Sequence, residues 1–202
     1  MPEQEKQARE RLVDSFWELL ADLPYRKVTV GKLVDRAGCN RATFYYHYQD
    51  LDDLLLKALD AEFAKFGGIA AIVHRSVTSG PEAFASVVTN EDFGRIVLAA
   101  QKVGFADFSA KLRLLTEGVW TTVLCASGQR LAPEAKAILD FVSDGTAGWL
   151  IRRPGDRHVA HAPFASDTLA LQCEHLAALY GITKDELLAR LEMVARLRTS
   201  SL

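Results

Sequence analysis

Cysteine is scarce in this 202-residue chain, and the three present, Cys39, Cys125 and Cys173, are odd in number, widely spaced and without a C-x-x-C pair. Such spacing builds no disulfide framework, and a reducing cytoplasm is the expected home. Six prolines and no low-complexity run leave little room for a disordered region. No apolar stretch approaches the ~20 residues needed to cross a bilayer, and the charged N-terminus does not read as a secretory signal, so no membrane is expected among the partners. The motifs G-x-x-x-x-G-K-[ST], G-x-G-x-x-G, G-x-S-x-G and H-E-x-x-H are all missing, so no catalytic residue and no cofactor is expected. The nearest approach to a metal set is His158-x-x-His161 with Cys173 or His175 nearby. The pair lies in a proline-containing loop, and no metal site is expected there.

Strand-type alternation is almost absent as well, whereas 49% of the residues are apolar and recur at helical spacing. An all-α protein follows. The first helix is expected over Arg9 to Leu20, with Ala8, Leu12, Phe16 and Leu19 as its inward stripe. Val30 to Ala37 reads as a second helix with Leu33, Val34 and Ala37 on one face. Gly38 supplies the left-handed residue that ends it, and Asn40 caps the next helix. Two short helices joined by a tight glycine-containing turn are the helix-turn-helix unit, whose second helix enters the DNA major groove.

That second helix carries Thr43-Phe44-Tyr45-Tyr46-His47-Tyr48. At 3.6 residues per turn Phe44 and Tyr48 share the interior side, while Arg41 and Tyr45 share another, flanked by Ala42 and Tyr46. A guanidinium and phenols suit phosphate and base edges. Charge agrees locally. The chain is −2 overall, but Pro24 to Tyr48 holds Arg26, Lys27, Lys32, Arg36 and Arg41 against Asp35 alone, a local +4 before His47 is counted.

The string from Val28 to Tyr48, V-T-V-G-K-L-V-D-R-A-G-C-N-R-A-T-F-Y-Y-H-Y, resembles the DNA-binding signature of the TetR family of repressors, over roughly residues 8 to 60. The resemblance implies an N-terminal three-helix DNA-binding domain (1–50) and a C-terminal helical effector-binding and dimerisation domain (51–202). It further implies double-stranded DNA, a small-molecule effector and a second copy of the chain as partners. The residues implied toward DNA are Thr29, Lys32, Asn40, Arg41, Thr43, Tyr45, Tyr46 and His47. One position departs: the fourth helix begins with Leu51 where the family usually has Lys, which removes a phosphate anchor. The opposing reading is an all-helical enzyme or adaptor that merely retains a helix-turn-helix corner.

Beyond Tyr48 the spacing predicts helices over Leu51 to Phe66, Pro81 to Val88, Asp92 to Val103, Phe108 to Ser127, Pro133 to Arg152, Phe164 to Tyr180 and Thr183 to Arg198. Gly67-Gly68 must end the fourth helix or act as a hinge. Thr183-x-x-Glu186 is a capping box. Gly145 and Gly148 interrupt the long helix after Pro133, and two glycines there suggest close approach of another backbone, from this chain or from a second copy. The dimer candidates are Phe141, Gly145, Gly148 and Trp149, with Leu169, Cys173, Leu176 and Tyr180 on the following helix. Candidates to line an effector pocket are Phe63, Phe66, Phe93, Phe105, Phe108 and Trp120. Polar handles would be His74, Gln101, Thr116, Thr121 and Cys125. The list suggests a largely apolar effector.

Overall fold

A computed structural model describes residues 3–88, 91–152 and 162–199 as eleven helices and two short 3-10 turns, with no strand among them. Three helices form the N-terminal corner: α1 (Glu3–Asp22), α2 (Val30–Ala37) and α3 (Arg41–His47). The remainder comprises α4 (Leu51–Ala64), α5 (Gly68–Thr78), α6 (Pro81–Val88), α7 (Gly94–Val103), α8 (Phe105–Leu124), α9 (Pro133–Ile151), α10 (Ala162–Leu179) and α11 (Lys184–Thr199).

The starts of these helices are written in their caps. Thr29 accepts a hydrogen bond from the Lys32 amide, Asn40 from Thr43, Asp50 from Asp53 and Thr183 from Glu186. Each satisfies one of the amides that a helix start leaves without an intrahelical acceptor. Glycines supply the stops. Gly38 closes α2 at φ 61°, and Gly67 and Gly68 stand at φ 82° and 80° between α4 and α5. A pair of left-handed residues cannot continue a helix, so α4 ends at Ala64 rather than running to Phe66, and a separate helix, α5, occupies a stretch that carries no clear sequence signal of its own.

Other boundaries shift by one turn. Gly104, at φ 96°, breaks the chain early enough for α8 to begin at Phe105 instead of Phe108, and extended Cys125 stops it at Leu124. Glu91–Phe93 forms a 3-10 turn ahead of α7. The segment around His158 and His161 lies outside the described residues.

A continuous apolar core runs through both parts of the chain. Leu12, Phe16, Leu33 and Phe44 from the corner join Leu54, Leu55 and Leu59 of α4 and, further on, Ile96, Phe108, Trp120, Leu139, Leu176 and Leu191. No helix of the described residues is long and apolar enough to cross a membrane.

Two glycines make opposite predictions about stability. A Cβ at Gly67 would stand 2.8 Å from the Ala71 methyl at a left-handed φ, so Gly67→Ala should cost about 1 to 2 kcal/mol. Gly118 lies inside α8 with open space around it, so Gly118→Ala should stabilise by up to about 1 kcal/mol. Urea titration of both variants reads the two signs, and a neutral Gly67→Ala would show that the α4–α5 junction is not held in this conformation.

Candidate functional site

The α2–turn–α3 corner presents polar and aromatic groups outward because its apolar residues are consumed inward. Phe44 is fully buried, with its ring 5.7 Å from that of Tyr48 and 5.2 Å, edge-on, from that of Tyr45. Tyr45 and Tyr46 are 58% and 69% exposed, and the Tyr46 ring meets His47 edge-on at 5.0 Å. Two large rings this exposed on a seven-residue helix leave most of their surface open to a partner.

The polar residues beside them are already ordered. Asn40 Oδ1 accepts from both the Thr43 amide (2.8 Å) and the Thr43 hydroxyl (3.0 Å). Lys32 Nζ donates to the Lys27 carbonyl at 3.0 Å. Arg41 lies across the start of α2, where a Cβ at Gly31 would meet its guanidinium at 3.4 Å; the missing side chain leaves room for it. Thr29, Lys32, Asn40 and Arg41 are therefore brought together on one exposed surface with Tyr45 and Tyr46, while Thr43 and His47 are half-buried at its edge. Of the basic island, Arg36 is paired with Asp22 (3.1 Å) and Glu18 (3.9 Å), and it is exposed along with Arg26, Lys27, Lys32 and Arg41.

Behind the surface, α4 is bolted to the corner. Lys57 Nζ donates to Asp53 (2.8 Å) and to the His47 carbonyl (3.4 Å), and lies 5.4 Å from the Tyr48 ring centre. Burial pushes the Asp53 carboxyl up, but the bonds from Lys57 and the Gln49 amide outweigh it and hold it below its ordinary value. Asp52 accepts from the Tyr25 hydroxyl at 2.6 Å and pairs with Lys111 of α8 at 3.1 Å. The bond from Tyr25, aided by Lys111, lowers the Asp52 pKa, while burial and the carboxylate raise that of Tyr25, so the phenol stays the donor. Leu51, at the position of the missing anchor, is half-buried against the core.

The second feature is an apolar cavity of about 320 Å³ in the helical body, within the range of small-molecule sites. Six helices and one turn supply its wall: Phe63 from α4, Ile69, Ile72 and Val73 from α5, Phe84 and Val87 from α6, Phe93, and then faces of α8, α9 and α10. Of the residues the sequence suggested for a pocket, Phe63, Phe93, Thr116 and Trp120 line it. Phe66 stacks edge-on behind Phe93 at 5.7 Å, Phe108 is fully buried, and Phe105 is half-exposed at the start of α8. His74 borders a separate shallow cleft, Gln101 is exposed on α7, and Cys125 faces the Tyr180 hydroxyl at 4.0 Å. Thr121, next to Trp120, is also outside the lining. The aliphatic residues of α5 and α6 do as much of the enclosing as the aromatic ones. Gln172, which completes the α10 face, was missed. A lone amide recurring on the apolar stripe of Ala165, Thr168 and Leu169 is the signal that could have found it.

The interface candidates divide. Cys173 and Leu176 are fully buried inside the chain and have no surface left for a second copy, and burial pushes the Cys173 thiol up to about 12. The Tyr180 hydroxyl is used internally, accepting from the Ala132 amide at 2.9 Å. Phe141, Gly145, Trp149 and Leu169 line the cavity, and Phe141 is also 79% exposed. Among the described residues a Cβ at Gly145 would meet nothing within 4 Å, and the nearest atoms to one at Gly148 would be those of the Arg152 guanidinium, at 3.3 Å. At Gly145 no internal helix crossing accounts for the glycine among the described residues. Among the described residues no group of three or more His, Cys, Asp or Glu is placed to hold a metal.

Residues 12–58 match the family described as bacterial regulatory proteins, tetR family. Among curated proteins none matches the chain.

The cap of α3 carries its own test. Asn40→Ala removes the acceptor for two bonds at the start of the exposed helix and should cost about 1 kcal/mol, a fall of about 2 to 4 °C in Tm. Asn40→Asp should retain most of the stability. An unchanged Tm for the Ala variant would show that α3 is held by Phe44 alone.

Proposed function

We propose that this TetR-family DNA-binding transcriptional regulator, with its helix-turn-helix domain in residues 12–58, represses by gripping a palindromic operator as a homodimer and is released when a small, largely apolar molecule enters its cavity. Residues 1–50 read DNA, and 51–202 sense and dimerise. The observation that carries the reading is the display on α3, where Phe44 locks the helix into the core and leaves Arg41, Tyr45 and Tyr46 outward beside Thr29 and Lys32. Phosphate contacts from hydroxyls and cations would position the helix, and Arg41 would supply a bidentate contact. The family consists of regulators, so the enzyme alternative has no support beside it.

Dimerisation is supported by apolar residues left outward on α9 and α10, namely Phe141, Leu171 and Leu179, and by the uncovered Gly145. Release is supported by how closely the cavity wall is joined to the DNA-reading corner. Phe63 lies on the same 14-residue helix, α4, that begins directly after α3. Leu112 lines the cavity next to Lys111, whose ammonium holds Asp52 and, through it, Tyr25. A ligand displacing Phe63 or Leu112 therefore acts on elements that set the position of α3. A palindrome fixes the separation of two recognition helices at about one turn, ~34 Å, so small shifts cost contacts. By linkage, operator DNA weakens effector binding by the same factor.

Two measurements test this reading. Arg41→Ala and Tyr45→Phe should weaken binding, at fixed salt, to the palindrome flanking the chain's own coding region by about 1 to 3 kcal/mol with little change in Tm. Affinity unchanged for both would remove α3 from the contact. Leu171→Glu, on an exposed position, should lower the dimer fraction at micromolar concentration in sedimentation and weaken operator binding with it. An intact dimer would place the interface elsewhere.

A further inference from the structure

We infer that the cavity takes an uncharged, ring-containing molecule bearing one hydrogen-bond donor, a hydroxyl or N–H, and that the acceptor for this donor is the side-chain carbonyl of Gln172. The inference rests on the effector reading above and specifies its ligand. Gln172 lies on the α10 face that lines the cavity together with Thr168 and Leu169, and it is 5% exposed. Its Oε1 is buried and has no hydrogen-bond partner among the described residues. A buried amide oxygen left unpaired is costly, and native structures keep few of them.

The neighbouring hydroxyls are otherwise engaged. Thr116 bonds back to the Leu112 carbonyl (2.9 Å) and meets the Ser143 hydroxyl at 3.0 Å, and Thr146 bonds to the Val142 carbonyl at 2.8 Å. Gln172 thus combines a place in an apolar wall with a buried carbonyl oxygen that no group of the described residues pairs. No Asp, Glu, Lys, Arg or His is among the described residues of that wall, so an ionised ligand would be desolvated without a counter-charge. Rings suit the remaining surface: Phe63 meets Phe93 edge-on at 6.4 Å, and Phe84 lies against Trp149 at 5.9 Å. A site built around a hydrogen bond discriminates strongly against an analogue that lacks the group, because the protein atom is then left unpaired.

Three probes of one shape separate the possibilities by calorimetry on the full chain at pH 7: 2-naphthol, which donates; 2-methoxynaphthalene, which only accepts; and 2-naphthoate, which is charged. Wild-type protein should bind 2-naphthol roughly 10-fold more tightly than the ether and should bind the carboxylate most weakly. In Gln172→Met, which keeps the bulk and removes the acceptor, the naphthol-to-ether ratio should fall to about one. Equal binding of naphthol and ether by wild type, preference for the ether, tightest binding of the carboxylate, or a naphthol preference that survives in Gln172→Met would each overturn the assignment while leaving the cavity as an effector site. Binding of none of the three would overturn the effector reading along with it. The wild-type comparison decides the donor requirement even if the variant does not fold.

Discussion

The fold depends on α4 being buried from two directions. Leu54, Leu55, Ala58 and Leu59 are all essentially inaccessible, and farther along so are Glu62 and Phe63. An ordinary surface helix buries one stripe. Here the stripe is widened because the first turns complete the core of the three-helix corner, while the last turn reaches the wall of the cavity. The rise of 1.5 Å per residue makes this 14-residue helix about 21 Å long, a stiff rod whose two ends serve different parts of the molecule. Its buried carboxylate, Glu62, is acceptable only because Lys65 (2.6 Å) and Arg95 (3.1 Å) meet it, and Arg95 extends the chain of charges to Asp14 of α1 at 3.5 Å. The rod is therefore tied to α1 and α7 through Arg95, and to α8 through Lys111.

A cavity in such a core is a local departure from close packing. Interiors elsewhere reach crystal-like density, and a void lined by Phe, Ile, Val and Trp forfeits the dispersion contacts that filling would provide. The unpaired Gln172 oxygen adds a polar cost in the same place. Two penalties converging on one volume are hard to attribute to neutral drift, since Leu or Met at position 172 would relieve one of them at little steric cost. A ligand that filled the volume and satisfied the oxygen would recover both. Its binding energy would then be available to shift the helices that form the wall, provided that the shifted arrangement binds it better.

Much of the DNA-reading corner is legible in the sequence because its determinants are local. Thr29, Gly38, Asn40 and Asp50 each act within four residues, and the stripe that buries Phe44 and Tyr48 is set by helical period alone. The cavity is less legible, because which apolar residue faces a void rather than a neighbour depends on how six helices meet. Phe108 and Phe93 look equivalent in sequence, yet the first is consumed by packing and the second lines the space. Cys173 and Leu176 illustrate the same limit: their stripe is real, but it faces the chain's own core. Helix α5 is not legible in the sequence because Gly67 and Gly68 mask its start, and its first residue is held at a left-handed φ that no propensity rule associates with a helix.

Leu51 shows how a departure in a motif is absorbed by its surroundings. Without an ammonium at the head of α4, the nearest cation on that helix is Lys57, and it faces the back of α3, where it holds the His47 carbonyl and Asp53. Lys57 thus stabilises the position of the recognition helix without itself standing on the exposed surface of Arg41 and Tyr45. The exposed cations of the corner without a carboxylate partner are Arg26, Lys27, Lys32 and Arg41, and Lys32 also bonds the Lys27 carbonyl. On the DNA reading proposed for α3, fewer phosphate anchors would leave a larger share of the affinity to Tyr45, Tyr46 and Arg41, and so to the placement of α3, against whose back Lys57 of α4 is held.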